Sequence, residues 1–170
     1  MILYLCRHGI ADDSSASGRD EDRALTAEGR DKFRKAAKGF AHLEPRVGHI
    51  LSSPLVRARQ TAEILRDVLA KATEINPPVT LEAHLGLGAR WEPLRQTIKI
   101  LPGRPREVVL VGHEPFMSHL LGALCFGESS GGRGGRVEFK KGAMAALEMD
   151  ADLNGGTLLW FMTAGILKGR

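Results

Sequence analysis

The stretch Ile2-Leu3-Tyr4-Leu5-Cys6-Arg7-His8-Gly9 decides how this chain folds. Its opening residues are apolar without alternation, which predicts a strand covered on both faces, as in a parallel sheet with helices on either side. The run stops at an arginine, a histidine and a glycine. The same kind of break recurs further on. Val47 to Leu51 reads as a short strand ending at Ser52-Ser53-Pro54, with Arg57 close behind, and Glu107 to Val111 is another buried run ending at Gly112-His113. In a parallel sheet these ends gather on one edge, where open α/β sheets bind their ligands.

Helices fill the intervals. Thr26 has the chemistry of a helix cap with Glu28 in the first turn, and Phe33, Ala36, Ala37, Phe40 and Ala41 recur at helical spacing from Ala27 to about His42. Ser53 as cap and Pro54 at the first helical position predict a second helix to about Lys71, with Leu55, Ala58, Ala62, Leu65 and Leu69 as its apolar stripe. A short strand is expected at Val79 to Leu81, a short helix at Glu92 to Leu101, and a helix opened by Pro115 that buries Phe116, Leu120, Leu121 and Leu124. Two last strands, Ala143 to Met149 and Thr157 to Met162, flank Asn154-Gly155, a hairpin signal that makes the pair antiparallel. A polar loop from Asp12 to Leu25 and a glycine-rich surface loop from Gly127 to Gly142 complete the pattern. The expected class is α/β: a three-layer sandwich with a mainly parallel central sheet and an antiparallel C-terminal strand, in one domain over residues 1–170.

Bulk properties narrow the function. A chain of 170 residues, 43% hydrophobic and 26% charged, has the composition of a globular domain able to bury one core. Its net charge of +4 and pI near 9.3 come from scattered cations, so the basicity marks a solvated surface and not a nucleic-acid stripe. Cys6 and Cys125 are too few for a disulfide framework, and Cys6 reads as a buried thiol. Met1 to Cys6 is too short for a signal-peptide core, and no apolar stretch reaches the ~20 residues that span a bilayer. A reduced, cytoplasmic setting without a membrane partner is the expectation.

Two arginines, two histidines and helix N-termini converging on one sheet edge make a site for a phosphate dianion. Any one of these residues alone would be commonplace; their joint placement at successive strand ends is the signal. Leu5-Cys6-Arg7-His8-Gly9 resembles the N-terminal signature of the histidine phosphatase superfamily. Ser52 to Ala62, with Arg57 and Arg59-Gln60-Thr61, is similar to its second signature, and Val111-Gly112-His113-Glu114-Pro115 to its third. Asp22-Arg23-Ala24-Leu25-Thr26-Ala27-Glu28-Gly29 matches an element of the SixA-type branch. The resemblance spans nearly the whole chain and implies a phosphoglycerate mutase-like fold with no cofactor. It implies that His8 is the nucleophile, and that Arg7, Arg57, His113 and Gly9 bind phosphate. A covalent phosphohistidine would form on His8, whose imidazole must be neutral, with its other nitrogen on a carbonyl.

The proton donor for the leaving group is less legible. Glu82 and His84 follow the strand at Val79 to Leu81, where many superfamily members place an acidic donor, and Glu114 is a third candidate. None sits in a distinctive motif, and His84, His113 and Glu82 lack metal-ligand spacing. A weak acid favours a substrate whose leaving group needs no proton, such as phosphohistidine on a signalling protein. A small-molecule or broad phosphomonoesterase is the alternative, and a non-catalytic phosphate-binding module the reading from another class. Arg133, Arg136, Lys140 and Lys141 on the glycine-rich loop are expected to be solvated or to meet the substrate. The oligomeric state is left open.

Overall fold

The run Ile2–Cys6 lies within β1 (Ile2–Arg7), a strand paired on both sides in a sheet of six. In the computed structural model, which describes residues 1–127 and 137–169, the elements follow in the order β1, α1 (Ala27–Ala41), β2 (His49–Ser52), α2 (Val56–Ala72), β3 (Val79–Leu81), α3 (Trp91–Lys99), β4 (Glu107–Gly112), α4 (Phe116–Phe126), β5 (Met144–Met149), β6 (Gly156–Met162) and α5 (Ala164–Leu167). Sheet order is β3-β2-β4-β1-β5-β6. β1 to β4 run parallel, and β5 is antiparallel to both β1 and β6. The expected hairpin and the expected sandwich are both present.

Alternation along each strand divides the core. Tyr4 and Cys6 face one side with Ile50, Val109 and Val111, against α1, α2 and α5. Leu3 and Leu5 face the other with Leu51, Val108 and Leu110, against α3 and α4. Both faces of β1 and β4 are therefore covered, which is why Ile2–Cys6 and Val108–Val111 are apolar throughout, whereas the edge strand β3 is partly exposed. Trp160 packs from β6 onto Tyr4 and Phe40, and Trp91 lies partly buried against the second core. No described helix is long and apolar enough to cross a membrane.

Several boundaries differ from the sequence reading. The second helix starts at Val56 with Leu55 at its cap; Ser53 lies two residues before the cap, and its hydroxyl accepts from Leu55 N–H and meets His113. β2 runs from His49 to Ser52, and α3 from Trp91 to Lys99. Two 3-10 turns, Asp20–Asp22 and Ala83–Leu85, and the short α5 carry no periodic signal. Within the glycine-rich loop, Lys140 and Lys141 are exposed, whereas Arg133 and Arg136 lie outside the described residues.

One close approach fixes the wall of the site. Thr26 caps α1 by accepting from the N–H of Gly29 at 2.8 Å, and its own N–H donates to the carbonyl of Ile10 at 3.0 Å. A Cβ on Gly29 would stand 2.1 Å from that same carbonyl oxygen. The start of α1 can therefore press onto the turn after His8 only because residue 29 has no side chain. Gly29→Ala is expected to lower stability by about 1–3 kcal/mol, the usual cost of overpacking. Urea unfolding should show a lower midpoint at unchanged slope.

Candidate active site

Strand register brings the chemistry together. Arg7 pairs with Gly112 and Ser52 with Val111, so β1, β2 and β4 end at one level. His8 N–H donates to the Gly112 carbonyl at 3.1 Å and Ser53 N–H to the Val111 carbonyl at 2.9 Å. His8, Arg7, Ser53, Arg57 and His113 thus share one edge. The imidazoles of His8 and His113 lie 4.9 Å apart between ring centres.

The protonation of His8 follows from its neighbour. Nδ1 lies 2.7 Å from the carbonyl oxygen of Gly9. A carbonyl can only accept, so Nδ1 carries the proton and Nε2 keeps its lone pair. Gly9 in turn donates its N–H to Thr61 Oγ1 at 3.1 Å, and Thr61 donates to the Arg57 carbonyl at 2.7 Å. Gly9 was expected to bind phosphate; its N–H is engaged by Thr61 and its carbonyl holds His8.

Arg57 is the second residue of α2 and only 7% exposed. Its guanidinium donates from Nη1 to the Asp20 carbonyl at 2.7 Å and from Nη2 to Asp20 Oδ2 at 2.8 Å. Arg7 donates from Nη1 to the Phe139 carbonyl at 2.6 Å, while its Nε is buried without a partner among the described residues. His113 Nε2 is 2.8 Å from Ser53 Oγ. That hydroxyl also accepts from Leu55 N–H at 3.3 Å. His113 Nδ1 is buried and likewise unpartnered among the described residues. An orphaned guanidinium N–H on Arg7 is what an oxyanion would satisfy.

Burial and cations keep both rings neutral. His8 is pushed from 6.5 down to about 3, first by burial, then by His113; the Gly9 contact opposes this and Arg57 and Arg7 add to it. His113 falls to about 4 through burial and then Arg57, opposed by Asp20, with Arg7 adding to the fall. Asp20 is itself held below the usual carboxylate range by Arg23 and then Arg57.

The candidate proton donors are placed differently. Glu82 follows β3 beside Ser52, but its Oε1 accepts from the N–H of His84 at 2.9 Å and caps its own 3-10 turn. Glu114 Oε2 accepts from Ser118 Oγ at 2.5 Å, and its Oε1 is buried without a partner among the described residues. No contact described here joins Glu82, His84 or Glu114 to the ring of His8. Among the described residues, no three His, Cys, Asp or Glu side chains gather where they could hold a metal ion. Asp20, Ser53 and Thr61 are the functional contacts that sequence reasoning passed over. Asp20 lies in the polar loop from Asp12 to Leu25, Ser53 reads from the sequence as a helix cap, and Thr61 stands inside a matched signature without a role.

A neutral histidine with a free lone pair, set among arginines at the carboxyl edge of an α/β sheet, defines a phosphate-handling hydrolase. The chain belongs to the histidine phosphatase superfamily (branch 1), whose family model matches residues 3–92, and it is a phosphatase of the SixA type. It is 29% identical over 171 residues to the phosphohistidine phosphatase SixA of Escherichia coli K12, covering 99% of this chain and 97% of that protein. An uncharacterised Picosynechococcus protein is 34% identical over 161 residues, covering 89% of this chain and 87% of the relative. The structure of the protein histidine phosphatase SixA complexed with tungstate superposes with a TM-score of 0.81 at 25% identity, covering 97% of this chain and 98% of the other. The fold is shared with a mycobacterial glucosyl-3-phosphoglycerate phosphatase (TM-score 0.69, 19% identity, 95% and 99% covered).

Because His8 and His113 have folded pKa values below their unfolded ones, the unfolded chain binds their protons first. The stability they contribute is present above about pH 6.5 and is lost as pH falls toward 4 and then 3. Imidazole nitrogen NMR at pH 5.5 should show His8 neutral and protonated at Nδ1; an imidazolium signal at that pH would contradict this.

Proposed function

We propose that this chain dephosphorylates phosphohistidine on a protein, with His8 as the nucleophile. The observation that carries the proposal is the fixed tautomer of His8, whose Nε2 keeps its lone pair on a buried ring 4.9 Å from that of His113 at the sheet edge. Nε2 attacks phosphorus in line: the new N–P bond forms as the bond from phosphorus to the substrate imidazole breaks. The departing ring leaves neutral when its distal nitrogen already carries a proton. Water then attacks the phosphorus of phosphorylated His8, and inorganic phosphate is released. Arg7, Arg57 and His113 hold the non-bridging oxygens and offset the charge of the transferring group.

Substrate choice rests on the leaving group. An alkoxide must be protonated as it departs, whereas an imidazole need not be. The engagement of Glu82 in its own turn favours the second case. The names borne by the similar SixA proteins point the same way. A phosphorylated carrier in a cytoplasmic signalling relay is the partner this reading expects.

Phosphate loss from a phosphohistidine-bearing carrier protein is the direct assay, with p-nitrophenyl phosphate in parallel. His8→Ala should abolish turnover of both, and Arg57→Ala should lower kcat/KM by roughly 100- to 1000-fold, in line with loss of one charge-stabilising donor. Hydrolysis of the ester with the carrier protein untouched would keep the mechanism and reassign the substrate to small phosphomonoesters.

A further inference from the structure

Asp20 has no assigned role, yet it is the carboxylate in direct contact with the phosphate-binding machinery. It sits in the 3-10 turn of the polar loop, with its side chain 51% exposed beside an Arg57 side chain only 8% exposed. One carboxylate oxygen meets Arg57 Nη2 at 2.8 Å and the other meets Arg23 Nη1 at 2.7 Å. Its backbone carbonyl separately takes Arg57 Nη1 at 2.7 Å. The orientation of Arg57 is therefore secured in part by the main chain. The carboxylate adds a negative charge that is half exposed to solvent.

Clamped by two guanidinium groups, this carboxylate stays ionised and has no proton to lend, which removes it as a general acid. Its effect is electrostatic. Against the cations of Arg7, Arg57 and Arg23 it cancels one charge, and neutral His8 and His113 add none. A dianionic phosphate ester meets a pocket less positive than its arginines alone would make it. A phosphoryl group on a protonated imidazole differs, because the ring brings its own positive charge. In-line attack puts that ring on the side of phosphorus away from His8, and Asp20, half exposed beside Arg57, is open to a group arriving from solvent.

We propose that Asp20 is a specificity-determining residue that favours a phosphoryl group borne on a cationic nitrogen ring over a dianionic phosphate ester. The proposal rests on the phosphohistidine reading and supplies a physical cause for it. The carboxylate attracts the departing ring and opposes the charge of the phosphoryl oxygens. It thereby weakens binding of esters and of the phosphate product, while the cationic-ring substrate recovers the loss.

The test is Asp20→Asn, which keeps an oxygen acceptor and the backbone contact to Arg57 but removes the charge. Three quantities are read against the wild type: kcat/KM for p-nitrophenyl phosphate, kcat/KM for a phosphohistidine-bearing carrier protein, and the inhibition constant of inorganic phosphate. The ester should be turned over about fivefold to tenfold better, phosphate should inhibit more tightly by a similar factor, and the carrier protein should lose about tenfold. A merely structural role would move both substrates in the same direction, and that outcome overturns the proposal. Failure of the parent reading shows separately, in the wild-type enzyme, as no phosphate loss from the carrier protein.

Discussion

The 2.7 Å contact between His8 Nδ1 and the Gly9 carbonyl sets the state of the site. It decides which ring nitrogen holds the proton and so which one is free to react. The carbonyl is steady because the rest of Gly9 is fixed: its N–H is held by Thr61, and Thr61 is bonded one helical turn back to the carbonyl of Arg57. The first turn of α2 thus presents an arginine to the site and, through one buried hydroxyl, also orients the histidine at the end of β1. On the other side, Gly29 lets α1 close against Ile10. Two helices from the same layer converge on one turn of chain.

Electrostatics follow from that packing. Imidazoles placed near buried arginines lose their protons, because burial and the neighbouring cations disfavour the imidazolium form. Neutral rings are useful here in two ways. His8 keeps a lone pair, and His113 keeps one N–H and one lone pair, with its Nε2 on Ser53. The arginines need anchors of their own. Phe139 supplies a carbonyl to Arg7, and Asp20 supplies a carbonyl and a carboxylate to Arg57. Only the second of these anchors carries charge, which gives the loop before α1 a part in the site beyond covering it.

The sandwich explains why so short a chain can hold this arrangement. Parallel strands covered on both faces form a stiff platform whose ends cannot slip, since a shift of one residue would turn each inward side chain to the opposite layer. Helices α3 and α4 lock the second face through Leu94, Ile98, Leu120 and Leu121. The site itself hangs from loops, but each loop leaves a strand whose register is fixed.

The sequence by itself determined the layered fold and the members of the site that stand at strand ends. Ile2–Cys6, Glu107–Val111 and the helix stripes are repeating patterns, and such patterns survive without knowledge of the tertiary structure. Arg7, His8, Arg57 and His113 were legible because each interrupts or directly follows such a pattern. The tertiary structure alone decided what those residues do to one another. The bonds from Arg57 to Asp20, from Gly9 to Thr61 and from His113 to Ser53 join residues 37, 52 and 60 positions apart. Nothing local marks them, because a hydroxyl or carboxylate in a polar loop has the same sequence environment whether it faces water or a buried arginine. Their roles depend on how closely the loops approach the sheet edge, and that distance is set by packing, as by the missing Cβ at Gly29.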